Sequence, residues 1–242
     1  MVGIVELWAQ QLGWRVRKGN VIVEGESDVF YFEHTARLYK HRYDIDLLGD
    51  DFSVIAAGKG NAGGVDGVNE RFRAARELAV ADVHPDGTIK YRFIGLFDND
   101  EQGRRAFSRG AGLSRRVEGY RDLFLLHPVM PLANGATAAT VKQRAVDLNK
   151  NYLHLDWEIE DLVAPEIYRL FEAEHSHEII KSKTIAGKTH RDLTWTGKFK
   201  LQQYVREYAE LEDLLEFIVL ISALRNHLRL RTDHLQLPVA GR

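Results

Sequence analysis

Two short apolar runs constrain this chain most. Val21-Ile22-Val23 stops at Glu24-Gly25-Glu26-Ser27-Asp28, and Phe93-Ile94-Gly95-Leu96-Phe97 stops at Asp98-Asn99-Asp100. A run that is apolar on both faces and breaks off in acids is the pattern of a buried parallel strand that delivers carboxylates to the carboxyl edge of its sheet. Ligands and reacting groups of open α/β sheets gather at that edge. Either motif alone is as well explained by acids capping the following helix. Together they predict an acidic site built from two neighbouring strand ends. Carboxylates brought that close repel by roughly 4 kcal/mol per pair at an effective dielectric of about 20, unless cations lie between them. Hard oxygen donors of this kind suit magnesium or manganese.

Around these runs the chain alternates strand and helix patterns. Residues 52–57 and 122–129 read as further strands, and 28–41, 65–80 and 101–109 as helices. An amphipathic helix is expected over Ile4–Trp14, ending near Gly13. Residues 134–137, with the small residues around them, read as a loop. From Lys198 to Leu230 the apolar spacing predicts one long helix or two. The expected fold is α/β, a mostly parallel sheet with helices on both faces and a C-terminal helical extension. The expected division is a catalytic domain over 1–165 with its N-terminal helix, and a mainly helical extension over 166–242.

The two acidic motifs resemble the Toprim domain, with its Glu-Gly-x-x-Asp and Asp-x-Asp signatures. The form Glu24-Gly25-Glu26-Ser27-Asp28 is most similar to the nuclease half of the overcoming-lysogenization-defect (OLD) family. That family's Gly-Gly-Lys-x-Asn-like turn is matched by Gly58-Lys59-Gly60-Asn61. Its late acidic motif is matched loosely by Asp156-Trp157-Glu158-Ile159-Glu160-Asp161, and its later lysine by Lys198 or Lys200. The resemblance covers roughly residues 18–205.

The resemblance implies a metal-dependent endonuclease. It implies two ions, Mg2+ or Mn2+, about 3.5–4 Å apart. Glu24, Asp28, Asp98 and Asp100 are the implied ligands, and Glu158 with either Asp156 or Glu160 completes the coordination of the second ion. Ser27 would orient a ligand. Lys198 or Lys200 would neutralise charge on the phosphate, which makes Glu24, Asp98 and one of these lysines the catalytic set. Implied partners are nucleic acid, a separate ATPase subunit in a defence-like system, and a second copy of the chain. Rival expectations are a non-catalytic scaffold or recombination module and a phosphatase on small phosphates.

Composition narrows this little. The net charge of −2 exerts no overall pull on nucleic acid. Arg104, Arg105, Arg109, Arg115, Arg116 and Arg121 follow the second motif, and Arg71, Arg73 and Arg76 precede it, as candidate phosphate contacts. There is no cysteine, hence no disulfide framework or thiolate site. No apolar run reaches the roughly 18 residues of a membrane helix, and a cytoplasmic location is expected. Gly187-Lys188-Thr189 imitates a phosphate-binding loop, but Ser182 stands where its first glycine belongs. His175 and His177 read as surface histidines.

Overall fold

The computed structural model describes residues 2–58, 63–112, 116–233 and 235. Lys59, Gly60 and Asn61 of the glycine-rich turn, and Arg115, lie outside them. The chain runs α1 (Ile4–Gln11), β1 (Gly19–Val23), α2 (Glu26–Tyr43), β2 (Phe52–Ala56), α3 (Gly64–Ala81), β3 (Arg92–Phe97), α4 (Glu101–Gly112) and β4 (Leu123–Leu125). It continues with α5 (Ala138–Leu148), α6 (Pro165–His175), β5 (Ile179–Ile185), β6 (Lys188–Leu193), α7 (Trp195–Tyr208) and α8 (Leu215–His227).

The strands β2-β1-β3-β4 form one all-parallel sheet in that order. Gly19 pairs with both Phe52 and Arg92, and Ile22 stands opposite Gly95, so β1 and β3 finish side by side. Successive residues of these strands point to opposite faces, as strand geometry requires. Val21, Val23, Ile94 and Leu96 pack into the larger core cluster, under α2, α7 and α8. Ile22, Phe93 and Phe97 pack into a smaller cluster, under α1, α3 and α4. Helices therefore cover both faces, which is why the strands read as continuous apolar runs.

Two expectations change, and one unforeseen element appears. The segment 122–129 contributes only a three-residue strand, β4. The small residues after Thr137 are not loop but the helix α5, started by Thr137 Oγ1 accepting from the Thr140 N–H at 3.3 Å. The extension beyond 165 starts on the helix α6 and holds α7 and α8, and between α6 and α7 it carries an unforeseen antiparallel hairpin of β5 and β6. Strand β5 is largely exposed and β6 is half-buried, with only His190 and Leu193 buried, so the turn carries the signal: Ala186 and Gly187 both have positive φ, 50° and 84°. The Gly-Lys-Thr trio therefore sits at a hairpin tip. The last apolar stretch is two helices, α7 and α8, separated by a 3-10 turn at Leu211–Leu214. Side chains from both sides of residue 165 share the larger core.

Candidate active site

The first motif turns sharply into α2. Gly25 caps that helix in an extended conformation (φ −146°, ψ 173°), so the turn does not use its freedom at positive φ; a Cβ there would lie 3.3 Å from Ser27 Oγ. The Gly25 N–H donates to Asp28 Oδ2 at 3.0 Å, and Ser27 Oγ donates to Asp28 Oδ1 at 3.2 Å. Asp28 is thus fixed at the mouth of the sheet beside Glu24. Across from it, the Asp98 N–H donates to Glu24 Oε1 at 3.4 Å.

Backbone pairing brings the late acids to the same edge. Asn99 and Trp157 exchange N–H···O bonds of 2.8 and 3.3 Å, and the Ile159 N–H donates to Asp98 Oδ1 at 3.1 Å. Glu158 and Glu160 flank that contact, Glu160 almost wholly buried. Lys198, in the first turn of α7, reaches between them and donates to Glu158 Oε2 at 2.7 Å and Glu160 Oε2 at 3.3 Å. A pocket of about 10 Å³ opens among Val23, Glu24, Asp28, Leu96, Phe97, Asp98 and Ile159, room for one water- or ion-sized sphere.

Electrostatics mark the same residues. Burial, then repulsion from Asp28 and Asp100, pushes Glu24 up to about 8. Burial and then Glu160 push Asp28 up to about 6. Asp98 rises well above the usual carboxylate range through burial, Glu24 and Asp28. Burial raises Glu158 as well, against the pull of Lys198. For Lys198 burial works downward, but Glu160, Glu158 and Asp98 outweigh it and hold the ammonium firmly charged. Acids that resist joint ionisation gather at functional sites and in structural ion-pair networks alike.

Other predicted residues are placed differently. Asp100 lies within electrostatic reach of Glu24, and its Oδ1 accepts from the Gly103 N–H at 2.6 Å at the start of α4. Asp156 is drawn outward to Arg104 Nη2 at 2.9 Å. Lys200 points away and pairs with Glu178 at 2.6 Å. Of the arginines, Arg105 pairs with Glu101, Arg109 with Asp66, Arg121 with Glu118 and Asp122, and Arg76 with Asp122. His177 is exposed, whereas the ring of His175 packs on Phe171 and Tyr204.

Three residues at the site were given no role from the sequence. Asp161 is buried, accepts from the Glu158 and Arg191 N–H groups, and meets His190 Nδ1 at 2.7 Å. Asp161 stands three residues after Glu158, the spacing of a helix-start box, which is the signal that could have found it. His190 comes from the unforeseen hairpin and carried none. Tyr31 is also fully buried, close enough for Glu160 to raise its phenol, and its hydroxyl has no partner among the described residues.

All the donors are oxygens, the type that a hard divalent cation takes, and Glu24, Asp28, Asp98, Glu158 and Glu160 lie within electrostatic reach of the Lys198 ammonium. Among the described residues no three Asp, Glu or His side chains are placed so that they could hold a metal ion together, and several of their oxygens are turned toward N–H groups and Lys198. No protein-family model, curated protein or solved structure matches the chain.

Proposed function

We propose that this chain is a divalent-metal-dependent nuclease of the Toprim type, closest in its motifs to the nuclease half of the OLD family. The observation that carries the reading is the set Glu24, Asp28 and Asp98 around an ion-sized pocket, with Lys198 held between Glu158 and Glu160 beside it. Mg2+ or Mn2+ held by Glu24, Asp28 and Asp98, with Glu158 and Glu160 completing the donors, would supply an activated water and a Lewis acid for phosphodiester hydrolysis. The protein does the rest. Ser27 and the Gly25 N–H fix Asp28 in one rotamer, and the Ile159 N–H fixes Asp98, so the donors are oriented before substrate arrives. Lys198 is a permanent cation at the rim and can transfer its hydrogen bonds from Glu158 and Glu160 to a phosphoryl oxygen as charge builds there.

The substrate on this reading is nucleic acid, the setting cytoplasmic, and the activity low until a partner acts. The exposed apolar face of α1, with Ile4 50% and Leu7 51% accessible, offers ground for a separate ATPase or a second copy. The test is nicking of supercoiled plasmid and of an RNA transcript with magnesium, manganese or chelator, alone and with any ATPase encoded beside this chain. Metal-dependent cleavage lost in Asp98→Asn is expected. Silence with every metal and partner points to a scaffold module, and release of phosphate from small monoesters with intact plasmid points to a phosphatase.

A further inference from the structure

Helix α7 carries more than Lys198. Residues 195, 199, 202 and 206 fall on one helical face at spacings of four, three and four. Gly197, Leu201 and Val205 are buried on the opposite face and seat the helix on the core. The outward face is unusual: Trp195 is 85% accessible and Phe199 54%, one turn apart. Rings of that size are seldom left in water without a use. Gln202 and Arg206 continue the row, and Lys198 stands at its border, already bonded to Glu158.

The far end of the row is cationic. The Arg206 guanidinium lies over the Phe30 ring at 5.1 Å, and Phe30 stacks on His34 with 5.4 Å between centroids and 21° between planes. Arg37 also bonds His34, through Nδ1. Among the described residues neither Arg37 nor Arg206 has a carboxylate partner. Burial, Arg37 and Arg206 together hold His34 neutral, down to about 4, so nothing between the two guanidiniums offsets their charge.

We propose that this face of α7 is a track for an unpaired nucleic-acid strand, whose bases stack on Trp195 and Phe199 while Arg206 and Arg37 hold its phosphates, leading into the site at Lys198. The inference rests on the nuclease reading and names its substrate class. Two flat rings followed by a cationic end, with no acid among residues 195, 199, 202 and 206, match a polyanion of stacked bases. Stacking on side chains requires base faces free of a duplex neighbour, which selects single-stranded segments or loops.

The test uses the full chain carrying Asp98→Asn, in chelator, so that nothing is cut. Probes are fluorescent oligothymidylate and oligouridylate of about 12 nucleotides, within the span of known single-strand sites, and a hairpin duplex of equal charge. Trp195→Ala and Phe199→Ala should each weaken the unpaired probes by about tenfold and leave the duplex within about twofold. Arg37→Ala should flatten the dependence of log K on log salt by about 0.7 for each phosphate that the guanidinium neutralised. The two unpaired probes separate DNA from RNA. The double aromatic variant binding every probe as the parent does, or losing duplex and single strand equally, overturns the proposal. So does unchanged oligonucleotide binding with altered self-association on sedimentation, which would make the face a protein contact. Unpaired-strand binding that depends on these rings, with no cleavage by the parent chain in magnesium or manganese, sinks the nuclease reading and leaves the track standing. Undiminished metal-dependent cleavage of unpaired strands by the double aromatic variant with Asp98 intact does the reverse.

Discussion

Asp98 presents one oxygen to the Ile159 N–H and shares its surroundings with Glu24 and Asp28, a crowding that is costly when all three are ionised. Asp98→Asn and Glu24→Gln are expected to abolish cleavage while the melting temperature in chelator stays level or rises. Melting curves beside the nicking assay check this; a large drop in stability with normal cleavage makes these acids structural. The pH dependence has a definite sign. Unfolded carboxylates titrate near about 4, whereas folded Glu24 titrates near 8 and Asp28 near 6. A raised folded value favours the folded state below the unfolded value, and that stability is lost as pH rises through the folded one. In chelator, stability should therefore decline from about pH 5 to about pH 8, and Glu24→Gln should remove much of the slope. Lys198→Ala should lower turnover by about 10² or more with little change in KM. Lys200→Ala should stay near the parent, since that lysine serves Glu178. The opposite ranking reverses the assignment.

At the scale of elements, the site depends on how closely α4 approaches the end of β3. A Cβ on Gly103 would stand 1.9 Å from the Asp98 carbonyl oxygen, so no other residue fits without moving helix or strand end. Gly103→Ala should cost roughly 1–3 kcal/mol through overpacking and should reduce cleavage. Gly112→Ala, with nothing within 4 Å, should be neutral or slightly stabilising. Denaturant melts of the two variants decide it, and equal stabilities refute the close approach. The strand-end motifs were legible at this scale because a parallel strand is apolar throughout and then abruptly acidic. The hairpin was not: Ile-Ile-Lys-Ser-Lys-Thr-Ile buries little, so neither alternation nor a continuous apolar run advertises it. With the hairpin hidden, His190 and its bond to Asp161 were hidden too.

Across the whole molecule, the larger core joins Val21, Phe32 and Leu96 of the sheet half to Phe171, Leu201, Phe217 and Leu224 of the extension. Tyr31 and Phe217 stack across that join with centroids 5.4 Å apart. The chain should therefore unfold in one cooperative transition, and residues 1–165 expressed alone should show no sharp thermal transition by circular dichroism, having lost the apolar cover of one sheet face. A fragment melting as sharply as the full chain contradicts the shared core. No helix among the described residues is long and apolar enough to cross a membrane.

Glu24, Asp28, Asp98 and the α/β class were readable from sequence, since strand burial and strand ends are local patterns written in consecutive residues. The choices the sequence left open concern residues distant along the chain. Glu158 and Glu160 reach the site because Trp157 pairs with Asn99, and Asp156 leaves it because Arg104 draws it out. Lys198 points inward and Lys200 outward because residues two apart on a helix differ by about 200°, and only the packing of Leu201 and Val205 decides which side meets the sheet. Local pattern determines which residues form strands and turns; which late acids and which lysine meet at their ends is decided by tertiary packing alone.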